Sequence, residues 1–467
     1  MKLKNLLGWS SALCLSASVL QAQETNEADK LNKQLKQLQE NFEKQQREMR
    51  ENFEKLVRDQ QAQIDALKKQ IATATNAVTG AGQTNQAAAD QLRELSDRLD
   101  EVVKAQQQVR PNAFNPSIGL VGETVFSYRT KGSDQTGSDR PGGFDVFQRS
   151  IELDIAAAVD PFAKGYAVIN ASAESATGEA TLTVEEAALQ TTSLPHNLEL
   201  KAGRFFGEFG RLGYIHDHEL PFVNRPLVLD QYIGGESKTD GLQVNWLLPS
   251  PHYVSLTLGL GDQFGDDPND AGHFRHFREV NYFGRLSTYF DLTPNWQLET
   301  GASGLINPKA ENGRGDAVSE RERRVAGLDL KLSYVPLQNN EFQNFVWGTE
   351  VLYSANHYQV DPDATPLTGD EFTRRVGSLG LYSYATYKWS RQWSGGFLFD
   401  WVQDAQNHRN ETFAYSPYLT WAISHWNQLR LQYTHTDRSF AGGRSDDAIY
   451  LQWAWIIGSH AHGWQQR

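Results

Sequence analysis

The sequence predicts an all-β transmembrane barrel of about sixteen antiparallel strands preceded by an α-helical coiled coil. Three observations carry this. From residue 117 onward apolar residues recur with a period of two, and the connections between these runs alternate between tight turns and long polar loops. Before that, residues 29–75 contain neither Gly nor Pro and repeat their apolar residues every three or four positions. Composition agrees. Mean hydropathy is −0.56 and hydrophobic residues make up 39% of the 467, too few for a bundle of membrane helices. A barrel needs only every second strand residue apolar, and it is rich in Gly and aromatics, as here with 38 Gly, 23 Phe, 17 Tyr and 12 Trp. The net charge of −13 argues against nucleic acid as a partner.

Residues 1–22 read as a secretory signal: Lys2 and Lys4 precede the apolar run Leu6–Leu20, and the small Ala22 follows. A membrane anchor is the competing reading. The run of about 15 residues is short for a bilayer span and is interrupted by Ser10, Ser11, Ser16 and Ser18. The single Cys, Cys14, lies inside the run and follows Leu13, a poor lipoprotein site, so the mature chain has no thiol for disulfides or metal.

Residues 23–110 read as a coiled-coil stalk in the periplasm. Leu31, Leu35, Leu38, Phe42, Met49, Phe53, Leu56, Ile64, Leu67 and Ile71 form one apolar stripe, which calls for copies of itself to bury against; Gln45 and Asp59 interrupt it. The alternative is an amphipathic helix folded back on a neighbour. A hinge near 79–86 contains Gly80 and Gly82, and a second stripe runs Leu92, Leu95, Leu99, Val102, Val109 until Pro111. Charge separates the two parts: residues 23–110 carry 14 basic and 15 acidic side chains, residues 111–467 carry 28 and 42.

Residues 111–467 form the barrel domain. Strands begin near Ser117, Phe147, Lys164, Thr181, Asn197, Thr239, Tyr253, Val280, Asn295, Val325, Asn344, Val376, Gln392, Thr412, Trp426 and Asp447. In the run Leu429, Leu431, Tyr433 against Arg430, Gln432, Thr434, one face is apolar and the other wet. Even strands are followed mostly by tight turns such as Asp160–Ala163, Ser193–His196, Pro249–His252 and Asp291–Pro294; odd strands mostly by long polar loops, the longest from Phe206 to Lys238. A two-sheet soluble domain has no reason to sort its loops by parity, whereas an outer-membrane barrel has periplasmic turns and external loops. Phe162, Trp296, Trp389, Trp393 and Trp426 lie beside the tight turns, where a periplasmic aromatic girdle sits. The last strand carries Ile449, Leu451, Trp453, Trp455 and Ile457 on one face, like the closing strand of bacterial barrels, but the chain continues to Arg467.

Around the longest loop the residues Gly203, Arg204, Phe205, Phe209, Gly210, Glu219, Phe222, Arg225 and Gly241, with TVEEAAL at Thr183–Leu189 and AVDPFAK at Ala158–Lys164, resemble the phosphate-selective porin superfamily over about residues 115–458. The resemblance implies a passive, water-filled, homotrimeric channel for small hydrophilic solutes, whose third loop folds into the lumen and narrows it. It does not carry phosphate selectivity. The domain has seven Lys among its 28 basic residues and a 14-charge acidic excess, which points to a general or weakly cation-preferring pore. External Asp266, Asp267, Asp270, Asp361 and Asp363 hold part of that excess.

Candidates to line the constriction are Glu208, Arg211, Asp217, Glu219, Arg225 and Asp230, with wall residues Arg149, Arg204 and Arg285. The bland alternative is that these groups pair with one another merely to hold the loop. The pairs His216/His218, His273/His276 and His460/His462 are spaced for metal, but no third ligand is identifiable, and neither metal nor cofactor is expected. No GxSxG, P-loop, Rossmann or HExxH motif occurs, and no enzyme activity is expected. A second reading makes the barrel an anchor in outer-membrane lipid and the stalk, about 70 Å long at 1.5 Å per residue, a tether to the cell wall or a periplasmic partner.

Overall fold

The structure, a computed structural model, describes residues 116–130, 142–160, 162–173, 180–265, 276–310, 318–336, 342–360, 372–440, 443 and 445–458. The signal segment, the coiled coil and its hinge lie outside these residues, as do His273, His460, His462 and the external Asp266, Asp267, Asp270, Asp361 and Asp363.

Sixteen strands follow in order: β1 (Ser117–Arg129), β2 (Gly143–Asp160), β3 (Ala163–Ala173), β4 (Ala180–Thr191), β5 (Leu198–Phe206), β6 (Lys238–Leu247), β7 (Tyr253–Gly261) and β8 (Asn281–Thr293). They continue with β9 (Trp296–Asn307), β10 (Val318–Tyr334), β11 (Asn344–Val360), β12 (Phe372–Lys388), β13 (Trp393–Gln403), β14 (Glu411–Ser424), β15 (Asn427–Arg438) and β16 (Asp446–Gly458). Each pairs with its sequence neighbours, and β16 closes on β1 with Gly119 opposite Gly458 and Arg129 opposite Ala448. Closure leaves no strand edge, which a sheet in lipid requires.

Alternation sorts the side chains. On β15, Leu431 and Tyr433 are exposed on the outside, while Arg430, Gln432 and Thr434 are buried toward the interior. Phe162, Trp389, Trp393 and Trp426 are exposed at the tight-turn end, and Trp393 stacks on Trp421 at 5.7 Å.

The strand starts match expectation to within a few residues except on β10, which begins at Val318 rather than near Val325. The extra residues are mostly polar and charged, and partners on the neighbouring strands carry them: Arg321 donates to Gln359, Asn356 donates to Glu320, and Arg375 pairs with Glu322. A reading keyed to apolar alternation passes over such a segment.

Two bulges shape the lumen. Between β1 and β2 the register slips so that Glu123 faces Ser150 and Thr124 faces Gln148, leaving Arg149 as the extra residue. Between β3 and β4, Val168 faces Glu186 and Ile169 faces Val184, leaving Glu185 extra. A bulge re-aims the inserted side chain. Hence Glu185 and Glu186, adjacent in sequence, are both buried.

Candidate functional site: a loop threaded through the lumen

The third loop, residues 207–237, leaves β5 and enters the barrel. It contains a 3-10 turn at Asp217–Glu219 and one short helix, α1 (Leu227–Ile233). Its apolar residues Phe209, Leu212, Ile215, Phe222, Leu229 and Ile233 form one buried cluster with wall residues Leu352, Tyr382, Tyr384, Leu398, Val402 and Tyr418. A core of this kind inside a barrel accounts for the many apolar residues in a loop this long.

Wall groups tie the loop down on every side. The Gly210 amide donates to Ser303 Oγ on β9 at 2.9 Å. The Arg211 amide donates to Glu350 on β11 at 3.1 Å, and Tyr382 donates to the same oxygen at 2.8 Å. Gly210 has φ +62, and a Cβ there would run into the Glu350 carboxylate. Glycine is required on both counts. Across the lumen, the Val223 amide donates to Gln432 on β15 at 2.7 Å, Arg149 donates to the Val223 carbonyl at 2.5 Å, and Arg430 donates to the Phe222 carbonyl at 3.2 Å.

Helix α1 is capped by the wall. Asp400 on β13 accepts the Leu227 amide at 3.1 Å, satisfying an N-terminal donor that has no partner within the helix. Arg323 on β10 donates to the carbonyls of Tyr232 and Phe264, each at 3.0 Å, placing a cation at the helix C-terminus.

Most of the expected constriction residues hold the loop. Arg225 is buried and donates to the carbonyls of Leu212 at 2.7 Å and Ile215 at 2.6 Å and to Asp217 at 3.0 Å. It also faces Glu236 at 3.4 Å. Burial, with Glu185 and Asp217 nearby, pushes the Glu236 carboxyl up to about 8. Arg211 is buried, donates to the Tyr384 hydroxyl at 3.3 Å and pairs with Glu299 at 3.3 Å. Asp230 is exposed on α1. Of the wall cations, Arg149 pairs with Glu123 and Arg285 makes a bidentate pair with Asp329 at 2.5 and 2.9 Å. Arg204, expected with the lumen charges, instead pairs bidentately with Asp240 at 2.6–2.7 Å. Strand alternation puts this pair on the outer face, since the neighbouring Phe205 and Thr239 point inward and are fully buried.

Glu208 and Glu219 do line open space. One cavity, about 270 Å³, is bordered by Asp154, Lys164, Glu186, Lys201, Glu208 and His216. A second, about 410 Å³, is bordered by Lys388, Arg391, Thr420, His425, Gln428 and Arg430. Glu219 borders both. The Glu208 carboxylate is held by neutral donors, Asn245 at 2.9 Å and Thr257 at 2.8 Å, so its charge is not cancelled by a contact cation. The spaces under the loop thus have an acid-rich wall on one side and a basic wall on the other.

Sequence reasoning passed over the wall carboxylates Glu152, Glu185 and Glu186, which surround the loop histidines. His216 Nε2 lies 3.1 Å from Glu186, and its Nδ1 lies 3.4 Å from both Glu152 and Glu185. His218 Nδ1 lies 3.1 Å from Glu152. Burial alone would depress both imidazoles, but the Glu152 carboxylate, joined at His216 by Glu185 and Glu186, outweighs it, raising His216 well above its usual range and His218 to about 9. One signal was present in the sequence: two consecutive Glu in a strand put one of them toward lipid unless a bulge turns it in.

With this geometry established, similarity to other proteins is informative. No family model matches the chain. An uncharacterized protein of Aquifex aeolicus (strain VF5) is 26% identical over 421 residues, spanning 80% of this chain and 85% of its own. Among solved structures, the outer membrane channel DcaP of Acinetobacter baumannii superposes with a TM-score of 0.52 at 11% identity, covering 73% of this chain and 97% of its own. OprB of Pseudomonas putida, in its high-pH structure, gives 0.52 at 10% identity over 76% and 96%. The chain has the fold of outer-membrane porins. At these identities the likeness is one of fold.

Proposed function

We propose that this chain forms a passive outer-membrane pore for small hydrophilic solutes or ions, with the third loop setting its aperture. The observation that carries the reading is the loop itself: it lies inside a closed barrel, is pinned to the walls at β1–β2, β9, β11, β13 and β15, and leaves charged, polar space beneath it. Opposed acidic and basic walls beside Glu219 impose a transverse field on a passing solute. Uncancelled Glu208 and the acidic cavity around it support a weak cation preference. The pore acts by diffusion and performs no catalysis.

Location and assembly follow from the outer surface. Its apolar exterior and tight-turn girdle support residence in outer-membrane lipid with the stalk in the periplasm. Outward positions of β3–β5 present Gly165, Ala167, Ala171, Ala187 and Ala202, and every described Trp lies from Trp246 onward. A lipid face without interfacial Trp, on which these small residues stand among Leu182, Val184 and Leu189, supports packing against other copies in a homotrimer.

The apolar core across the lumen favours a second reading, a barrel that serves mainly as an anchor for the stalk. Single-channel conductance of the detergent-folded protein in a planar bilayer, with the reversal potential in a salt gradient, separates the two. Stepwise openings with a cation-biased reversal potential support the pore; a folded barrel that carries no current supports the anchor.

A further inference from the structure

We propose that Glu152, Glu185, His216 and His218 form a binding site for one divalent transition metal of the zinc class, which staples the third loop to β2 and β4. The four side chains come from two strands and a loop and meet inside the barrel, with relative exposures of 3%, 6%, 3% and 1%. One donor atom each from Glu152, His216 and His218 lies within 4.8 Å of the others. Nδ1 of His216 stands 3.4 Å from Oε2 of Glu152 and of Glu185, and Nδ1 of His218 stands 3.1 Å from the other Glu152 oxygen, Oε1. The edge of a tetrahedron of donors about 2.05 Å from a zinc ion is about 3.3 Å, so the gaps from His216 to Glu152 and Glu185 match such an edge, and Glu152 would take His218 into the shell by a small turn of its carboxylate or by using both oxygens.

The hydrogen bonding points the same way. Glu152 Oε2 and Glu185 Oε2 are buried and accept no hydrogen bond, although both face the same ring nitrogen. One proton on Nδ1 has a single direction and cannot serve two carboxylates; a cation can. Beyond the shell, Glu186 Oε1 lies 3.1 Å from His216 Nε2. It is placed to accept the Nε2 proton and so turn the Nδ1 lone pair toward Glu152 and Glu185, the carboxylate–histidine–metal relation that fixes a ligand's tautomer. Asn170 donates to Glu185 Oε1 at 2.6 Å, which holds that carboxylate with Oε2 toward the histidines. Access is provided by the 270 Å³ cavity, which reaches His216 and Glu186. Two imidazoles and two carboxylates suit zinc, cobalt(II) or nickel(II) better than calcium or magnesium, which prefer all-oxygen shells.

The test uses the full-length, detergent-folded protein, stripped with EDTA and then loaded with Zn²⁺ or Co²⁺. One tightly held Zn²⁺ per protomer after dialysis, and an intense tetrahedral-type Co²⁺ absorption, are expected. His216→Ala and Glu152→Gln should abolish both signals, and Glu186→Gln should weaken Zn²⁺ binding about 10- to 100-fold. His252→Ala, on an exposed turn, should leave them unchanged. Folding is checked by heat-modifiable gel mobility. A stripped wild-type barrel that takes up no metal, a weak octahedral-type Co²⁺ spectrum, or undiminished binding in folded His216→Ala and His218→Ala would overturn the site. If those variants do not fold, the wild-type Co²⁺ spectrum decides alone. None of these readouts depends on conduction.

Discussion

Arg225→Ala tests whether the loop is held by its own internal clamp. The guanidinium satisfies two buried carbonyls, Leu212 and Ile215, and pairs with Asp217. The Asp217 side chain is 38% exposed and turns to water when released, so its loss counts little. The carbonyls have no such recourse. Each costs about 1–3 kcal/mol when left unpaired in a dry site, so the ordered loop loses about 4 kcal/mol in all. At about 1.4 kcal/mol per tenfold, the ratio of docked to undocked loop falls about a thousandfold. The strand ladder is untouched, because every one of these bonds lies within the loop. We therefore expect a barrel that still folds, with unchanged heat-modifiable mobility, but with a larger and noisier single-channel conductance and a loop newly open to trypsin. A folded variant whose conductance, noise and protease resistance match wild type would refute the argument that internal hydrogen bonds, rather than the surrounding apolar cluster, order the loop.

Three further outcomes follow from the same geometry. Gly210→Ala places a Cβ at φ +62 against Glu350 and should cost about 1–3 kcal/mol of loop order, seen as the Arg225→Ala phenotype in milder form; wild-type conductance would show that the loop tolerates a shift there. Glu208→Gln removes a charge held only by neutral donors and should move the reversal potential toward anions, whereas an unchanged potential would place the selectivity elsewhere. Glu236 has its carboxyl raised from 4.5 to about 8, so between these values the folded state holds a proton that the unfolded chain has released. Stability from this group is therefore present at low pH and lost as pH rises toward 8, at up to about 1.4 kcal/mol per pH unit. Denaturant unfolding of Glu236→Gln should lack that slope, and an identical pH profile would contradict the shift.

Much of the fold was legible because the signals are local. Alternation along β15 requires nothing beyond six consecutive residues, and a turn such as Asp160–Ala163 declares itself by its own Asp and Pro. Loop parity then gave the barrel its two ends. The charged start of β10 was missed because its residues are stabilised by partners on neighbouring strands rather than by a pattern of their own. Loop 207–237 was legible as the longest connection in the barrel, but the roles within it were not readable. Arg211 and Arg225 as letters are equally good pore linings and loop clamps; burial and partners decided for the clamp.

The sequence by itself determined the strand count, the alternation of outer and lumen faces and which connection is longest, since each rests on a period of two or on turn chemistry spanning a few residues. Only the tertiary structure decided which lumen groups meet. Val223 and Gln432 are 209 positions apart and His218 and Glu152 are 66 apart, and no local pattern links such pairs. They are brought together by closure of β16 on β1 and by bulges at Arg149 and Glu185 that turn one extra side chain inward. Closure is a property of the whole sheet, and a bulge is a property of two strands at once.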